Sequence, residues 1–173
     1  MKMSVLALSA SMLLAPTAHA GELAPGLRGL SFLVGGWKDA KGVVADTGGT
    51  STGRSSFTAE AGGAVLLRRD HTELFDKTGK PSGGFDQIMM IYPEGDGLRA
   101  DYSDGEHVIH YDRAEIDPGK AVTFTSVAQP GRPVFRLSYR LPPPDRLSVS
   151  FAMAPPGSAT VQPIADGFFS RAN

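Results

Sequence analysis

The sequence predicts an all-β domain: an antiparallel up-and-down barrel of about nine or ten strands, with a short N-terminal helix capping one end. Three observations predict it. Short runs of alternating apolar residues recur along the chain, separated by Gly- and Pro-containing turn signals. The connections are too short to hold a crossover helix, which excludes parallel βαβ units in practice. The stretch Leu98–Tyr111 carries Asp104-Gly105, a strong two-residue hairpin signal, between two period-2 segments.

The chain opens with Met1-Lys2, an apolar run from Val5 to Leu14 and a small-x-small site at Ala18-His19-Ala20. That pattern is a secretory signal peptide over residues 1–20, leaving the barrel domain at 21–173. The expected location is periplasmic or secreted. The apolar run is too short for a membrane span, so no stable membrane insertion is expected. No cysteine occurs, which argues against a lipid anchor and leaves the fold to packing and hydrogen bonds. The formal charge of −1 falls to about −2 without Lys2. With no basic stripe, nucleic acid is excluded as a partner.

Leu27, Leu30, Leu33 and Val34 repeat at helical spacing between Pro25 and Gly35-Gly36, which predicts a helix of about two turns. A first strand follows from Trp37 to Ala45, with Trp37 as a core anchor or ligand-lining residue. Asp46–Gly53 reads as a loop and Arg54–Ala59 as a short strand. In the next strand Val65, Leu67, Arg69, His71 and Glu73 alternate with Ala64, Leu66, Arg68, Asp70, Thr72 and Leu74. Neither face is cleanly apolar, so this strand is expected to start buried and turn polar on both sides toward Phe75. His71 is expected to be exposed or paired with a carboxylate. The run Ile88–Ile91 is apolar on both faces; Ile88, Met90 and Tyr92 on the outer one are a candidate homodimer contact.

In the central hairpin a type I′ turn pairs Ser103 with Glu106, Tyr102 with His107, Ala100 with Ile109 and Leu98 with Tyr111. One face then carries Leu98, Ala100, Tyr102, His107, Ile109 and Tyr111, and is read as the barrel interior. Strands at Ala121–Ala128, at Phe135–Leu141 and at Leu147–Met153 follow, the last two with clean inward sets. Pro142-Pro143-Pro144 is a rigid connection. Thr160–Ile164 reads as an edge piece, and Phe168–Arg171 ends the chain.

None of the searched catalytic or cofactor-binding signatures occurs: no G-x-S-x-G elbow, no dinucleotide or P-loop glycine motif, no H-E-x-x-H and no cysteine nucleophile. His107 and His110 form H-x-x-H, but residues three apart on a strand point to opposite faces, so no metal site is expected. No cofactor is expected either. A polar group of Tyr102, His107 and Tyr111 on an apolar wall fits the usual recipe for a small-molecule pocket. The inward aromatics Phe135, Tyr139 and Phe151 complete the candidate ligand-binding set.

The order of several pieces resembles the calycin-like group of small β-barrels: Leu30–Trp37 before the first strand, the Gly-rich segment Gly53–Gly63, Met89-Met90-Ile91-Tyr92, and Ala100–Tyr111. It looks most like bacterial domain-of-unknown-function families with lipocalin-like or nitrobindin-like barrels. The resemblance implies that Trp37 closes one barrel end and that Arg171 packs over it. It implies binding of a hydrophobic small molecule. It does not carry haem over, because this chain has no histidine after His110; haem would need His107 or His71.

Three functions follow as expectations. The first is an exported barrel binding a hydrophobic or amphipathic small molecule in its interior. The second is a cofactor-independent isomerase or hydrolase using His107 and a tyrosine. The third is a structural or interaction module of the cell envelope.

Overall fold

The computed structural model describes residues 21–142 and 146–172. The expected leader, residues 1–20, lies outside the described residues, as does most of the Pro142-Pro143-Pro144 connection. Ten strands follow one N-terminal helical segment, Pro25–Leu33: β1 (Gly35–Val44), β2 (Gly49–Glu60), β3 (Val65–Phe75), β4 (Pro81–Glu94), β5 (Gly97–Ser103), β6 (Val108–Asp117), β7 (Ala121–Ser126), β8 (Val134–Arg140), β9 (Arg146–Ala154) and β10 (Gln162–Arg171). Each strand pairs antiparallel with the next, and β10 pairs back onto β1 to close the barrel. Closure leaves no unpaired edge. Among the described residues no helix is long and apolar enough to cross a membrane.

The helical segment is a 3-10 helix of nine residues with Pro25 at its start. Leu27, Leu30 and Leu33 are fully buried, and their spacing of three suits 3-10 geometry, in which residues i and i+3 eclipse. The segment lies across one barrel end. Gly119 N–H donates to the Gly29 carbonyl at 3.0 Å, and Ala24 N–H to the Gly63 carbonyl at 2.9 Å. It therefore plugs the end formed by the β2–β3 and β6–β7 turns. The β5–β6 and β7–β8 turns lie at the opposite end.

Several boundaries differ from expectation. Strand β2 begins at Gly49 and takes in most of the segment read as a loop. Gly53 is required there, because a Cβ would strike the His71 carbonyl on β3. The two C-terminal pieces are one strand, β10. The central hairpin also has a wider turn. Ala100 pairs with Tyr111, Tyr102 with Ile109 and Ser103 with Val108. The physical reason is Asp104. Its Oδ1 accepts from the N–H groups of Glu106 at 3.0 Å and His107 at 2.7 Å, an Asx-type turn that competes with a tight I′ turn. The register moves by two residues, so every other side chain keeps its face. Glu106 and His107 leave the strand: both sit on the turn and are exposed, and His107 is not opposite Tyr102 on the inner wall.

Candidate functional site

Three layers stack along the barrel, from the plugged end to the open one. In the lowest, the buried Trp37 ring donates its Nε1–H to the Leu33 carbonyl at 2.8 Å. Arg171 lies over that ring, its Cζ 4.0 Å from the centroid. Its guanidinium donates to the carbonyls of Val34 at 2.6 Å and Phe32 at 3.3 Å. The pair ties β1, β10 and the helical segment into one lid.

The middle layer is a polar cluster inside the barrel. Arg68 and Asp70 point inward from β3 and are buried, so the polar residues expected on both sides of this strand include two charges inside the barrel. The Arg68 guanidinium pairs with the Asp70 carboxylate and donates to Gln87 Oε1 at 3.0 Å. Ser55 Oγ–H donates to Asp70 Oδ1 at 2.5 Å. Strands β3 and β8 stand on opposite sides of the closed barrel, and Arg68 reaches across it. Its Cζ lies 5.5 Å from the centroid of the fully buried Tyr139 ring on β8. Phe57 meets the same ring edge-on at 5.5 Å. Burial works against the Arg68 charge, but the adjacent Asp70 overrides it and holds the guanidinium protonated. Burial pushes the phenols of Tyr139, Tyr111 and Tyr102 up, so all three stay neutral near pH 7.

Above this layer the barrel opens into a cavity of about 560 Å³ at the end opposite the helical segment. Tyr102, Ile109, Phe135 and Phe151 form its wall on the barrel side, and Asp104, Glu106, His107, His110, Gln129 and Arg132 make a polar, partly open rim. The rings of Phe135 and Phe151 stack at 5.6 Å with 13° between their planes. Tyr102 OH donates to Asp104 Oδ2 at 3.3 Å, and His107 Nδ1 lies 3.3 Å from the same oxygen. Asp104 thus joins a wall tyrosine to a rim histidine.

The structure brings Tyr102, His107, Phe135 and Phe151 together around the cavity. Tyr111 and Tyr139 do not line it; they are buried deeper in the core. His110 sits on the outer side of β6, with Nδ1 2.6 Å from Asp101 Oδ1, and His71 Nδ1 lies 2.8 Å from Asp86. Arg68, Asp70 and Ser55 were not singled out from the sequence. A signal was present: opposite charges at i and i+2 share one strand face, with Leu66 and Leu74 on that same face.

These features define a class: a closed, ten-stranded antiparallel barrel plugged by a short helix, consistent with the calycin-like small-barrel fold. Among solved structures, the crystal structure of Rv2717c from M. tuberculosis matches it with a TM-score of 0.59 and 18% identity, over 88% of this chain and 100% of that one. At that identity the likeness shows the fold alone. The structure of EF1p2_mFAP2b bound to DFHBI superposes more loosely, with a TM-score of 0.41 and 13% identity over 85% of this chain and 99% of that one. No protein-family model matches the chain, and no curated protein does.

Proposed function

We propose that this protein is an exported binding cup that takes a hydrophobic or amphipathic small molecule into the open end of its barrel. The observation that carries the reading is the cavity of about 560 Å³ under the stacked Phe135 and Phe151 rings. Its volume falls in the range of small-molecule sites, and the apolar wall sits beside a strongly polar rim, which suits an amphipathic ligand. The plugged end and filled lower core leave one way in. Titration with Nile red, an uncharged fluorescent amphiphile, tests it. Saturable binding to the wild type, weakened in Phe151→Ala, supports the reading; no binding at micromolar protein overturns it. Native mass spectrometry of protein from its own compartment would identify the resident molecule and test export together.

The Tyr102–Asp104–His107 chain at the rim favours a second reading, a cofactor-independent enzyme with the His107 ring as general base. Unchanged turnover in His107→Ala, for any substrate found, would remove it. Outside the barrel, Ile88 and Met90 are 47% and 42% exposed and Val108 63%. Ser103 pairs with both Ile88 and Val108, so these side chains form one outer patch whose Val108 end borders the cavity mouth. This patch is a candidate homodimer contact, tested by sedimentation at micromolar concentration.

A further inference from the structure

The charged and titratable side chains at the cavity mouth are Asp104, Glu106, His107, His110 and Arg132. Three of them already have partners. Asp104 Oδ1 accepts the N–H groups of Glu106 and His107, and Oδ2 accepts the Tyr102 hydroxyl and lies beside the His107 ring. A carboxylate offers about four acceptor positions, so Asp104 is filled. His110 turns its Nδ1 to Asp101 on the outer side of β6. Glu106 and Arg132 remain. Both are exposed, and among the described residues neither forms an ion pair, with the other or with any further group. The way the sheet ends keeps them apart. Strands β6 and β7 pair only from Tyr111 and Ser126 downward, with one more bond from Val127 N–H to the His110 carbonyl at 2.9 Å. Above that point Val108 and Ile109 pair with β5 alone. The cavity occupies the gap between this end of β6 and the β7–β8 turn. Glu106 stands on one side of it and Arg132 on the other.

We infer that Glu106 and Arg132 select an amphiphile with a zwitterionic head group, an ammonium and a phosphate or sulfonate in one head, over a singly charged amphiphile of either sign. The inference rests on the binding-cup reading and specifies its ligand. The Arg132 guanidinium is a planar fork suited to two oxygens of the anionic group. The Glu106 carboxylate faces the ammonium. A singly charged head satisfies one of these residues and brings a like charge toward the other. An anionic head also meets the Asp104 carboxylate, which has no proton to donate to it. Both selecting groups are in reach of solvent, so the head stays partly hydrated at the rim. The apolar tail lies deeper, along Phe135 and Phe151.

The test is displacement of Nile red by three amphiphiles that share one tail: dodecylphosphocholine, dodecyl sulfate and dodecyltrimethylammonium. Each is used at neutral pH and low salt, below its micelle-forming concentration. The phosphocholine is expected to bind about fivefold tighter than either singly charged compound, and about 0.5 M salt to erase most of that preference. Arg132→Gln and Glu106→Gln are each expected to weaken the phosphocholine about threefold and leave Nile red affinity unchanged. Exchanging the two charges, Glu106→Arg with Arg132→Glu, is expected to restore phosphocholine binding to within about twofold of the wild type, because the mouth again offers one charge of each sign. Equal binding of the three, tighter binding of a singly charged one, or a preference that survives both single substitutions overturns the inference while leaving the cup intact. Failure of Nile red and all three amphiphiles to bind overturns the cup itself.

Discussion

The Arg171 guanidinium lies 4.0 Å from the centroid of the Trp37 ring while donating to the Val34 and Phe32 carbonyls. Those carbonyls end the helical segment, so one side chain holds the plug against both closing strands. Arg171→Ala is expected to lower stability by about 2 kcal/mol, from the lost stacking and two charge-assisted hydrogen bonds. Arg171→Lys recovers part of it, because an ammonium cannot serve ring and carbonyls with the same planar fork. Urea denaturation measures both.

Trp37 is the one tryptophan of the chain, and it is buried at the plugged end. Its emission is expected to stay unchanged when Nile red occupies the far end, apart from energy transfer, and to move to the red only on global unfolding. A shift of the emission maximum on ligand binding would place the ligand at the wrong end.

The Arg68–Asp70 pair separates two kinds of substitution. Asp70→Asn leaves a buried guanidinium uncompensated and is expected to cost about 3 kcal/mol. The double variant Arg68→Met with Asp70→Leu removes both charges and is expected to be neutral or more stable. Thermal melts of the three proteins decide it.

Two carboxylates make the loops of the open end acid-sensitive. For Asp104, burial alone raises the pKa, but the N–H groups of His107 and Glu106 and the His107 ring outweigh it, so it lies below the ordinary 3.8. Asp76 is lowered by the Thr78 hydroxyl and the Lys80 and Thr78 N–H groups. A carboxylate with a depressed folded pKa stabilises above its unfolded value and loses that stabilisation as pH falls through the folded one. Stability is therefore expected to begin falling as pH drops toward 3.8 and to keep falling below it. Asp104→Asn keeps an acceptor oxygen for the turn and flattens part of that decline. Melting temperatures from about pH 6 to pH 2 measure the slope.

Ten strands, the plug and the inner faces of β5, β8 and β9 were legible in the sequence because each rests on local rules: alternation, turn residues and a leucine repeat. The cavity wall of Tyr102, Phe135 and Phe151 followed from those faces. What escaped was non-local or competitive. Asp104 had two turn geometries open to it, and only the carboxylate's bonds to Glu106 and His107 select the wider one. Arg68 and Asp70 look like surface charges in β3 until closure brings Tyr139 across from β8. Gly49, Ser51 and Gly53 read as loop because their strand is chosen by its neighbours β1 and β3, not by its own propensity.

The pairing of β1 with β10 also governs how the molecule comes into being. Every other strand zips onto the one just before it, a local event, whereas Arg171 meets Val34 across 137 positions. Such a long loop closes slowly, because its entropy is lost before the contacts form. Until the last strand is present the sheet is a ribbon with two raw margins. A nascent chain released early, or trimmed before β10, would carry those margins exposed and be drawn to other chains. Assembly of the barrel therefore waits on β10, the last of its strands to be made.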